Sequence, residues 1–149
     1  MHGEPSIERL RGLACDVGAM KVAVPAYHVD QIIEYDLCTP LPLAKRWIGG
    51  LGIWERRVVA SIALTAPVSA APTRRRAKGV LLRHARRDID WALEISAVTG
   101  FVDVTLPPGA NKPAGMATFL RRAAAADGRA IAWLDVPLMF ATLPTSPSE

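Results

Sequence analysis

The 149-residue chain is half hydrophobic and 21% charged, with a mean hydropathy of +0.19 and a formal net charge of +4. Its length fits one domain of ordinary size, and its composition excludes a disordered, collagen-like or fibrous chain. With nine aromatic residues, the core must be built mainly from Ala, Val, Leu and Ile.

The amino terminus lacks the basic start and apolar run of a secretory signal, so a cytoplasmic location is expected. An uncharged run over 58–72 follows Arg56 and Arg57, but it holds Pro67 and Pro72 and is too short to span a bilayer, which needs about 20 apolar residues. Cys15 and Cys38 form no C-x-x-C pair and cannot alone make a metal cluster, so two free thiols are expected, with a single long-range disulfide as the alternative.

Taken in chain order, Ser6 reads as the cap of a helix carrying Ile7, Leu10, Leu13, Ala14 and Val17 on one face, stopped by Gly18. A short strand over 20–24 closes at Pro25. Asp30 caps a helical turn or two through Ile32, Ile33 and Leu37, and Thr39-Pro40 opens a second short helix that ends at Gly49-Gly50. The run over 58–64 fits a buried strand bounded by Pro67, followed by a loop over 66–73. The segment 73–98 reads as one helix with Val80, Leu81, His84, Ala85, Ile89, Ala92, Leu93 and Val98 near one side. A strand over 101–106, a rigid turn, an alanine-rich helix over 114–126 and a strand over 130–136 follow, and the tail over 142–149 is expected to be disordered. Two strands joined through a helix imply a parallel pair. The fold class expected is therefore α/β: one compact domain over 1–141, with a small, mostly parallel or mixed sheet and flanking helices. Residues 1–52 supply short helical pieces and one strand, and 53–141 alternate strand and helix.

Charge is concentrated. Arg74, Arg75, Arg76, Lys78, Arg83, Arg86 and Arg87 fall within 73–87 with no acid among them, while the rest of the chain is mildly acidic. Such a field attracts phosphate backbones, acidic proteins or anionic lipid. Arg86 and Arg87 with Asp88, Asp90 and Glu94 also fit an ordinary salt-bridged face.

Asp103 and Asp135 occupy equivalent places in two strands. Brought together, they would make an acid-base pair or a Mg²⁺ site, with no other cofactor implied. Gly109, Asn111 and Lys112 lie between a strand and a helix, where backbone N–H groups can hold an anion, although no Walker or G-x-G-x-x-G pattern is present. His28 near Asp30 lacks a metal-site pattern, and no serine sits in a nucleophile elbow. Trp47 and Trp54 flank Gly49-Gly50-Leu51-Gly52, a place for core packing or for contact with a second copy of the chain.

These features lead to a small cytosolic binding protein that engages nucleic acid through the basic helix. The alternatives are an enzyme for an anionic substrate using Asp103 and Asp135, and an assembly subunit that oligomerises through Trp47 and Trp54.

Overall fold

The structure, a computed structural model, describes residues 8–39, 48–64, 75–83, 89–107 and 119–141. Ten strands and one short helix are found among them: β1 (Glu8–Val17), β2 (Met20–Pro25), β3 (Val29–Thr39), β4 (Ile48–Trp54), β5 (Arg57–Ile62), β6 (Arg75–Leu82), β7 (Asp90–Ile95), β8 (Ala97–Leu106), β9 (Leu120–Ala125), β10 (Ala130–Leu134) and α1 (Val136–Ala141). The α/β expectation is thereby corrected to an almost entirely β fold. The first helix is β1, the turns after Asp30 are β3, and the long helix over 73–98 is replaced by β6, β7 and the start of β8. The described part of the alanine-rich helix is β9. The expected strands over 20–24, 58–64, 101–106 and 130–136 overlap β2, β5, β8 and β10. The tail over 142–149 lies outside the described residues.

The strands close into two five-stranded barrels, β1-β2-β10-β9-β8 and β3-β4-β5-β7-β6. A ring of five strands cannot alternate direction all the way round, so each barrel needs a parallel seam. The seams are β2 with β10 and β5 with β7. The expected pair over 101–106 and 130–136 is separated by β9, which runs antiparallel to both. The second barrel is inserted into the chain of the first. It is entered from β2 through a 3-10 turn, Ala26–His28, and left through Ser96. Both crossings are tied down: the Ser96 N–H donates to the Asp16 carbonyl, the Gly18 N–H donates to Ser96 Oγ, and the Arg83 N–H donates to the His28 carbonyl.

Strand alternation divides the buried apolar side chains among three clusters. Ala14, Ala23, Val104, Ala123, Ile131 and Trp133 fill the first barrel, and Ile33, Tyr35, Leu37, Val59, Ala77 and Ala92 fill the second. Their outward neighbours, among them Leu13, Cys15, Val22, Val24, Ile62, Val80 and Leu93, form a larger core between the barrels. Helix α1 adds Val136, Met139 and Phe140 to this middle core, and Phe140 meets Trp91 of β7 edge-on at 5.4 Å.

Five-stranded barrels are narrow, and the sequence accommodates this with glycines set against one large ring. A Cβ at Gly12 would lie 3.1 Å from the Trp133 ring; at Gly79 it would lie 2.9 Å from the Tyr35 ring. Tyr35 is fully buried, and its hydroxyl shares a 2.7 Å hydrogen bond with Ser61 Oγ, which is also fully buried.

Burial pushes both the Tyr35 phenol and the Cys15 thiol up to about 12, from ordinary values of 10.0 and 9.0. The folded chain therefore keeps two protons that the unfolded chain gives up in alkali. The stabilisation is complete below about pH 9 and is lost as pH rises toward 12, at about 1.4 kcal/mol per pH unit for each group that ionises only when unfolded. Denaturant titrations should show a midpoint that starts to fall above pH 9, and Tyr35→Phe should make that fall shallower. An unchanged slope in the variant would contradict the assignment.

Candidate functional site

Among the described residues, β3, β4 and β5 carry the outward apolar surface with the most unusual backbone. The hairpin joining β4 to β5 turns on Glu55 and Arg56, whose φ angles are 49° and 66°. Two successive left-handed residues make the tight turn that matches strand twist, yet this geometry favours Asn and Gly, and side chains there store strain. The flanking pairs hold it in place: Trp54 opposes Arg57, whose guanidinium lies 5.8 Å from the indole centroid, and Ile53 opposes Val58. Arg57 also reaches Asp90 at 3.2 Å.

Register carries this surface across four strands. Arg76 of β6, Asp36 of β3, Ile53 of β4 and Val58 of β5 stand in one row. Arg76 contacts Asp36 at 3.1 Å and Glu34 at 3.6 Å, so the charged half of the row is internally neutralised. The other half is bare: Ile53 is 48% and Val58 50% exposed, and Ile32 lies further along the outer face of β3. An apolar centre beside a satisfied charged rim is the composition of a protein-docking surface. The sequence reading missed Ile53 and Val58. Two apolar runs around Glu55-Arg56 were the available signal, weakened by the absence of an Asn-Gly turn.

Where it is described, the expected basic helix is β6. Arg75 of β6 makes a bidentate pair with Glu94 of β7 at 2.6 and 3.0 Å. Arg76 is held as above, and Arg83 lies 3.7 Å from Asp30. Lys78 projects from β6 and is exposed, while Arg74, Arg86 and Arg87 lie outside the described residues. Of the described cations in this cluster, Arg75, Arg76 and Arg83 are paired with carboxylates from β3 and β7.

The two aspartates are engaged separately. Asp103, on the outer face of β8, lies 3.6 Å from its register partner Arg11. Asp135 lies 3.4 Å from Arg121 and accepts the Leu138 N–H at 3.1 Å, capping α1. Among the described residues there is no group of three or more His, Cys, Asp or Glu that could hold a metal. Gly109, Asn111, Lys112 and Trp47 lie outside the described residues, and Trp54 sits half-buried at the base of the hairpin turn, packed against the second barrel's core. Cys15 and Cys38 are both free thiols. No described helix is long and apolar enough to cross a membrane.

These features define a double five-stranded β-barrel domain with an apolar hairpin face. A family model, the CheW-like domain, matches residues 11–143, and the chain belongs to that family. Among solved structures, the scaffolding protein TtCheW from Thermoanaerobacter tengcongensis is similar, with a TM-score of 0.53 and 11% sequence identity over 85% of this chain and 89% of that one; at this identity the likeness is one of fold. No curated protein matches the chain. Family membership overturns the reading of the chain as a nucleic-acid-binding α/β protein, and no observation supports an oligomer built on Trp47 and Trp54.

Proposed function

We propose that this chain is a protein-coupling scaffold of a chemosensory signalling system, joining chemoreceptors to their kinase in the cytoplasm. The match to the CheW-like domain over residues 11–143 carries this reading. The geometry supports it: two small barrels share one middle core, so the domain offers surfaces on two rigidly linked bodies, and the hairpin face supplies an apolar docking patch. Such a scaffold acts through contacts that form and release, for which micromolar affinities, on the order of −8 kcal/mol, are expected.

Isothermal titration of the purified chain against a chemoreceptor cytoplasmic fragment, and separately against the regulatory part of the kinase from the same genome, tests the reading. Saturable micromolar binding to each is expected. Absence of binding to both would sink it.

A further inference from the structure

The first barrel is closed less completely than the second. Its parallel seam is held by the register pairs Ala132 with Val22 and Trp133 with Ala23, and no pair joins Met20 and Lys21 to Ala130 and Ile131. The corresponding seam of the second barrel is paired continuously from Val59 with Asp90 to Ile62 with Leu93. Where the first seam lapses, a cavity of about 400 Å³ opens beside β9, walled by Met20, Ala123, Ala130 and Ile131. Ala123 and Ile131 belong to the barrel's own interior cluster, so the gap is a cleft floored by the edge of that cluster.

The rim is cationic. Lys21 holds Asp16 at 2.7 Å, whereas Arg122 has no carboxylate partner among the described residues. Its neighbour Arg121 is committed to Asp135. An apolar gap with one paired and one unpaired cation at its edge suits a ligand that brings an aliphatic group and a carboxylate together.

We propose that this seam is a second docking site, which takes an extended acidic segment of a protein partner. One medium-sized aliphatic side chain enters the gap against Met20, Ala123 and Ile131, and an adjacent carboxylate pairs with Arg122, a charge-assisted contact that salt weakens. The site lies on the first barrel and the hairpin face on the second, and it does not depend on the identity of the chemosensory partners.

The test is an amide chemical-shift titration of the full chain with a terminally blocked pentapeptide of glycine, aspartate, leucine, glutamate and glycine. Shifts should concentrate at Met20, Lys21, Ala130 and Ile131, weaken with added salt, and require at least tenfold more peptide in Arg122→Glu. A peptide with glycine in place of leucine should lose binding to the same extent. Arg122→Gln, a milder change at an exposed site, should show an intermediate loss and serves if the charge reversal does not fold. Shifts that are absent from these residues, that map to 53–58 instead, or that are unchanged in both variants would overturn the proposal.

Discussion

Gly52→Val should destabilise the chain by about 3 kcal/mol or more, read as a lower midpoint in urea denaturation. A Cβ at Gly52 would lie 2.6 Å from the Asp36 carbonyl oxygen and 3.0 Å from the Tyr35 ring. Neither neighbour can give way cheaply. Asp36 is held in register by β4 on one side and β6 on the other, and Tyr35 is backed by Gly79 and anchored to Ser61. Gly128 is the informative control, because it has φ +87° but open space around its Cβ position. Gly128→Ala should cost about 1 kcal/mol from backbone strain alone. Gly52 itself has no positive φ, so a Gly52→Val cost no larger than that of Gly128→Ala would contradict the argument from the narrowness of the barrel.

Replacing Ile53 and Val58 by Glu should separate binding from folding. Both side chains are about half exposed, so the double variant should stay folded, with stability lowered by about 1–2 kcal/mol because the apolar cross-strand pair is lost and two carboxylates face each other beside Asp36. Placing carboxylates at the centre of an apolar docking patch removes buried apolar area and strands charge in the interface, and each central residue of this kind is worth about 2 kcal/mol. Affinity for at least one chemosensory partner should therefore fall by about 30-fold or more. Full retention of binding to both would remove the hairpin face from the account.

The strands that the sequence disclosed are those with conventional patterns. Met20 to Val24 and Phe101 to Leu106 alternate, and Phe101, Asp103 and Thr105 share the outward face of β8. Those read as helices share a different physical origin. In β6, Val80 and Leu82 face the middle core while Leu81 faces the barrel interior, so all three are buried and the period of two disappears. In β9, Ala123 faces the first barrel's interior beside Ala14 and Ala23, where small side chains share the space with the Trp133 ring, and a run of a strong helix former then mimics a helix. The same local reading turned Arg75, Arg76 and Arg83 into one cationic face. Their carboxylate partners lie on β7 and β3, the two strands that pair with β6 on either side. Trp54 packs against the second barrel's core, one of the two places the sequence allowed it, whereas the cross-strand pairing of Ile53 with Val58 depends on the register of the hairpin.

The central claim is that one small domain connects two proteins. The most direct measurement is sedimentation velocity on an equimolar mixture of this chain, a chemoreceptor cytoplasmic fragment and the kinase regulatory part from the same genome. A single faster boundary containing all three, which splits into slower species when the chain is omitted, is the predicted result. Receptor and kinase sedimenting identically with and without the chain, with the chain itself left in its own slow boundary, would contradict the claim.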